Sequence, residues 1–213
     1  MKKTILTSLA FCLISLAYSQ SEKYLGAMKQ NIGLADSIMA NNNAGELANS
    51  FLRIAEAEKT QWLPYYYAAY CKVTEAFVEK DNSKKDALAD KATEMLDKAE
   101  GILGKENSET NVIKSMIATA HMMVDPQSRY MTYGPQSAGF IEKSIALDPG
   151  NPRPALLEAQ NTFYTPETFG GGKTAAKPLF DKASELFKTF KPETAISPDW
   201  GRTNLNYFLS QYQ

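Results

Sequence analysis

Beyond residue 20 the apolar residues return every three or four positions, in one segment after another, and turn-forming residues separate the segments. Leu47, Phe51, Ile54 and Ala55 make one such stripe. Trp62, Tyr66 and Tyr70 make a second, and Leu88, Ala92, Leu96, Ala99 and Leu103 a third. Ile113, Met116, Ile117 and Ala120, and later Ala176, Leu179, Phe180, Ala183, Leu186 and Phe187, continue the pattern. Residues three or four apart share one side of a helix, whereas strands alternate. No convincing alternating run occurs, so the chain is expected to be all-α.

Nine helices are expected; the second ends near Glu58 and the third starts near Trp62, and breakers mark the other boundaries. The breakers are Asn41 to Asn43, Asp81 to Ser83, Gly104, Asp125-Pro126, Asp148 to Pro152, Gly170 to Gly172, and the Pro192 to Pro198 stretch. Asp125-Pro126 is expected to end the fifth helix, because proline disfavours helical backbone in the residue before it. A loop through Arg129 and Tyr133 then leads to a helix over 136–147. The last helix, from about Thr203, carries Leu205, Phe208 and Leu209.

Residues 1–19 are set apart. Met1-Lys2-Lys3 is followed by an apolar run from Ile5 to Leu16 and by the small residues of Ala17-Tyr18-Ser19. That order is the signature of a secretory signal peptide, and the run is too short for a permanent membrane helix. Phe11 before Cys12 is too bulky for a lipid-attachment motif, so an outer-membrane lipoprotein is not expected. Residues 20–213 would form a single helical domain, exported to the periplasm. With 44% hydrophobic and 22% charged residues it can bury a core. Removing Lys2 and Lys3 leaves 21 basic against 24 acidic residues, a net charge of −3. Nucleic acid is thereby excluded as a general partner, since phosphate neutralisation needs a basic face. Cys71 alone remains, so no disulfide forms within the mature chain.

Stacked hairpins leave a repeat in the sequence. Ser137, Ile141, Ser144, Leu147, Asp148 and Pro149 resemble the second helix of a tetratricopeptide repeat. The same small–large–small triplet stands at Ala92, Leu96 and Ala99, and at Ala176, Phe180 and Ala183, with Leu47 and Phe51 as a weaker instance. Small residues let two helices approach, and the large one fills the groove between them. The large positions, 51, 96, 141 and 180, are spaced by 45, 45 and 39, longer than the family's 34. The resemblance implies an α-α superhelix, a tetratricopeptide-like solenoid of about four helical hairpins plus a C-terminal capping helix. The whole chain also resembles a group of secreted tetratricopeptide-like proteins of Gram-negative bacteria without an assigned activity. That likeness rests on Trp62 to Tyr67, Gly104 to Glu109, Thr165-Pro166 and Phe169 to Lys173.

Few residues offer chemistry. Gly172-Lys173-Thr174 matches the end of a phosphate loop, but position 167 is Glu where that motif needs Gly, and no strand precedes it. Gly170 to Gly172 is therefore expected to be a tight turn; anion binding by Gly171, Gly172 and Lys173 is the alternative. His121 is the single histidine and is expected on a helix flank. Asp86, Asp90, Glu94 and Asp97, interleaved with lysines, suggest a solvated face. No catalytic residue, metal site or cofactor is expected. Trp62 with Tyr65, Tyr66, Tyr67 and Tyr70 is the densest aromatic cluster, and three successive tyrosines cannot all enter one stripe. Tyr66, Tyr67 and Tyr70 are thus candidate contacts, with Arg129 a further one, since aromatics and arginine dominate binding hot spots. Trp200 is expected to seat the last helix as a cap.

These features suggest a non-catalytic scaffold of the cell envelope that binds a protein or peptide on a concave helical groove. The alternative is a periplasmic small-molecule binder with a pocket near the tyrosine cluster and the glycine loop.

Overall fold

A computed structural model describes residues 22–36, 38 and 43–213. The proposed signal peptide and Cys12 lie outside the described residues. Among those residues the chain is all-α, with no strands. In order, the helices are α1 (Glu22–Ala35), α2 (Ala44–Ala57), α3 (Leu63–Val78), α4 (Asn82–Leu103) and α5 (Ser108–Val124). After these come α6 (Pro126–Leu147), α7 (Pro152–Tyr164), α8 (Lys173–Thr189) and α9 (Arg202–Ser210). A single 3-10 turn, Glu167–Phe169, lies between α7 and α8.

Side chains at the boundaries explain where the helices start and stop. Asp81 caps α4 by accepting the Ser83 and Lys84 amides, and Gly104 ends that helix with φ of 72°. Asn107 and Thr110 form a reciprocal capping box on α5. Asn151 accepts the Arg153 amide at the start of α7, where Pro152 needs no partner for a missing N–H.

The expected loop through Arg129 and Tyr133 is instead the first half of α6. Asp125 both ends α5 and caps α6 through the Ser128 amide, and Pro126 stands in the first turn. A proline that stops one helix is therefore also the start of the next. Pro135 is accommodated inside α6 despite the hydrogen bond it forfeits.

Every helix packs on its successor, and α1, α3, α5 and α7 also touch one another in turn. The triplets noted in the sequence lie at these contacts. Phe51, Leu96, Ile141 and Phe180 are all buried, as are Ala92, Ala99, Ser137, Ser144, Ala176 and Ala183. The small positions of α6 are serines, and their hydroxyls are satisfied across the helix interface. Ser137 pairs with Ser115 at 2.9 Å and Thr119 at 3.0 Å, and Ser144 with Ser108 at 2.8 Å. Close approach would otherwise leave those hydroxyls buried without partners.

Two apolar clusters result. The larger joins α1 to α6 with Leu157, Ile196 and Trp200, and includes a stacked Phe51–Tyr67 pair at 4.9 Å. The smaller joins α7, α8 and α9 around Phe180, which stacks on Phe208 at 4.8 Å. Because Phe180 is fully buried, Phe180→Ala removes a ring and leaves a cavity. Urea denaturation should show a loss of about 3–5 kcal/mol; a loss below about 1 kcal/mol would contradict this packing.

Candidate functional site

Between the two clusters stands a buried ion pair. Arg153, at the start of α7, has only 1% of its side chain exposed. Its Nε donates to both carboxylate oxygens of Glu109 at 2.9 and 3.0 Å, and Nη2 donates to Oε1 of the same group. The guanidinium lies 4.6 Å from the Phe190 ring centre and 5.8 Å from that of Trp200. Glu109 also accepts from the Tyr66 hydroxyl at 2.7 Å and from the Asn151 amide at 2.7 Å. Trp200 Nε1 in turn donates to the Tyr66 hydroxyl oxygen at 2.9 Å. One carboxylate thus joins α3, α5, α7 and the segment before α9.

Burial shapes the electrostatics here. Burial, reinforced by the Glu109 charge, pushes the Tyr66 and Tyr67 hydroxyls well above their ordinary value of 10. Burial, the largest influence on Arg153, lowers its pKa, but the charge and hydrogen bonds of Glu109 together with Tyr66 and Tyr67 outweigh it and the net direction is up. Arg153 Nη1 is buried and has no hydrogen-bond partner among the protein atoms.

Above this floor opens a cleft of about 540 Å³. Trp62, Leu147, Phe190, Pro192 and Pro198 give it apolar walls, and Lys105 and Lys191 stand with Glu106 and Glu193 on its lining. Glu106 is held by Lys143 and Lys114, and hydrogen bonding from Lys143 chiefly lowers its carboxyl to about 2. That size lies within the range of small-molecule sites, although most of the lining side chains are polar or charged. A second cleft of about 470 Å³ lies between α1 and α2. Tyr24, Ala27, Ile54 and Ala57 line it together with Lys23, Gln30, Asn31, Ser50, Arg53 and Glu58.

No protein-family model matches the chain, and no curated protein does. Among solved structures, the HusA haemophore from Porphyromonas gingivalis is similar, with 34% sequence identity and a TM-score of 0.76. The match covers 91% of this chain and 94% of that one. The chain belongs to the family of that haemophore. Its relative there is a binding protein, which supports binding without catalysis.

The residues singled out in the sequence separate into three places. Tyr66, Tyr67 and Tyr70 are buried in the core beneath the cleft, and do not line it. Tyr67 donates to the Ile196 carbonyl at 3.3 Å, and Tyr70 stacks on Trp200 at 4.3 Å. Tyr65, half-buried, carries Lys98 at 5.7 Å from its ring centre, and it is the member of the tyrosine run that leaves the stripe. Trp200 ties the segment before α9 to α3 and belongs to the larger cluster, rather than seating α9 itself.

Arg129 stands elsewhere, on α6. Its two terminal nitrogens grip the Asp86 carboxylate at 2.7 and 2.8 Å, and Nη1 also reaches the His121 carbonyl at 3.1 Å. His121 Nδ1 is 2.8 Å from Asp86 Oδ1, and its ring stacks on Tyr133 at 5.2 Å. Asp86 is thus held below its ordinary pKa, foremost by the Arg129 hydrogen bonds, and joins α4, α5 and α6. It does not belong to a uniform solvated face. Among the described residues no group of three or more His, Cys, Asp or Glu side chains could hold a metal ion.

The glycine loop forms the third place. The amides of Gly170, Gly171 and Gly172 donate to the carbonyls of Glu167, Pro166 and Thr162, so they point inward. Gly172 has φ of 94°, and a Cβ on Gly171 would come within 2.3 Å of the Thr165 carbonyl oxygen. Lys173 Nζ lies 5.2 Å from the Tyr212 ring centre.

Sequence reasoning missed Glu109, Arg153, Phe190, Lys105 and Lys191. One signal pointed to Arg153: a charge inside Pro152-Arg153-Pro154-Ala155-Leu156-Leu157, an otherwise apolar helix start. Such a charge needs a buried partner.

Glu109→Gln would strand a buried guanidinium. Its unfolding free energy should fall by about 3–5 kcal/mol in urea, whereas an unchanged value would refute the pair's role. Glu106 has a folded pKa below its ordinary 4.5, so its stabilisation is present above that value and fades as pH falls toward about 2. The melting-temperature gap between the natural chain and Glu106→Gln should therefore be open at pH 6 and closed near pH 2. A gap independent of pH would contradict the assignment.

Proposed function

We propose that the chain is an exported, non-catalytic binding protein for a tetrapyrrole of the haem class, held in the cleft above Arg153. Membership of the haemophore's family carries this reading. The cleft supports it by its volume and by its aromatic and proline walls, and offers Lys105, Arg153 and Lys191 to carboxylate arms on a lining that also carries Glu106, Glu109, Asp148 and Glu193. The small-molecule alternative thereby ranks above a protein- or peptide-binding scaffold. Export to the periplasm rests on residues 1–19. Among the described residues no helix is long and apolar enough to cross a membrane. The succession of contacts α1, α3, α5, α7 supports a helical-hairpin solenoid.

The residues present also define how such a ligand is held. Haem iron ordinarily takes His, Cys, Met or Tyr as its axial ligand. None of these types lines the cleft. His121 lies twelve residues along α5 from Glu109, about 18 Å away by helical rise. Affinity here comes from ring burial and charge rather than from the metal.

Titration with haemin, followed by Soret absorbance and tryptophan fluorescence, tests the proposal. Saturable binding at one ligand per chain is expected, and iron-free protoporphyrin should bind within about threefold of haemin, a difference under roughly 1 kcal/mol. Absence of a saturable change with both would overturn the proposal.

A further inference from the structure

We propose that Arg153 Nη1 is the donor that recognises a ligand carboxylate in the cleft, so that the chain selects tetrapyrroles whose carboxylates are free. The proposal rests on the tetrapyrrole reading and specifies which part of the ligand is read.

Arginine has five N–H donors in a rigid fork. Glu109 takes the donor on Nε and one of the two on Nη2, which leaves the second on Nη2 and both on Nη1. The two on Nη1 have no acceptor among the described residues, although only 1% of the side chain is exposed. Buried charged donors are nearly always satisfied, so this one calls for an acceptor that arrives with a ligand. The residue lines the cleft, and everything else about it is fixed: Glu109 holds one edge, and Phe190 and Trp200 lie close to the guanidinium. A donor held this rigidly loses little freedom on binding, which favours selection.

Phe190 controls access. It is half-buried, caps the C-terminus of α8, and begins an irregular connection that runs to Trp200. That connection is anchored at Ile196 by Tyr67 and at Trp200 by Tyr66. Rotation of the Phe190 ring, whose centre lies 4.6 Å from the guanidinium, would open that side of Arg153 to the cleft without moving those anchors. An incoming carboxylate then completes a three-part arrangement with Arg153 and Glu109, in which the two acids meet different edges of one guanidinium. Lys105 and Lys191, both exposed, stand on the cleft lining beside Glu106 and Glu193 and offer ammonium groups to another carboxylate arm.

The test compares protoporphyrin with its dimethyl ester on the unaltered mature chain, both at one low detergent concentration, by fluorescence quenching. Esterification keeps the ring and removes the charges. The free acid should bind at least tenfold more tightly than the diester. In the double variant Lys105→Ala/Lys191→Ala, the free acid should weaken modestly and the diester hardly at all, so that most of the ratio survives. In Arg153→Lys, whose fold is checked by circular dichroism, the ratio should collapse toward one. Equal affinity of acid and diester for the unaltered chain would overturn the proposal while leaving the tetrapyrrole reading standing. Collapse of the ratio in the lysine double variant would also overturn it, by assigning the recognition to the rim. Binding of neither compound would remove the tetrapyrrole reading and this proposal with it.

Discussion

One carboxylate carries much of the organisation of this molecule. Glu109 receives donors from Arg153, Tyr66 and Asn151, and Tyr66 relays the contact to Trp200. Helices α3, α5 and α7 and the segment leading to α9 converge there. A buried ion pair is weak evidence for stability, because desolvation offsets much of its attraction. Its effect here is on position: it requires a particular register between helices that apolar packing alone would leave freer. It also lies beneath the larger of the two clefts, between the two apolar clusters.

Much of the fold was legible because it depends on local rules. Three-to-four-residue spacing is enough to define α2, α4, α5 and α8, and Gly104 and Asp81 mark boundaries by caps whose chemistry is local. The small–large–small triplets even located the helix contacts, since Ala92, Leu96 and Ala99 can be buried together only where another helix approaches. Asp125-Pro126 shows the limit of that method. Proline excludes helix before it and favours helix after it, and only the second property accounts for the first half of α6.

The site was far less legible, and for a physical reason. Aromatic density identified Trp62 and the tyrosines, but density does not say which face meets solvent. Trp62 reaches the cleft, while Tyr66, Tyr67 and Tyr70 support it from below. Glu109 and Arg153 are 44 residues apart, and their pairing follows from tertiary contact alone. Likewise Asp86 looks like any other acid of a charged helix until Arg129 arrives from α6, 43 residues later.

The two polar centres divide the work. Asp86, His121, Arg129 and Tyr133 join α4, α5 and α6 at one end of α5. Glu109 and Arg153 stand at the other end, where the cleft opens. Binding at that end therefore leaves the first network as structural bracing. The chain has two tryptophans, one on each side of the cleft floor: Trp62 on the wall, and Trp200 buried against Tyr70. Their indole N–H resonances in a ¹⁵N-labelled mature chain thus report on the central claim directly. On addition of iron-free protoporphyrin, the ring current should displace the Trp62 resonance strongly and the Trp200 resonance much less. Saturable binding that leaves the Trp62 resonance in place would put the ligand elsewhere and contradict the account.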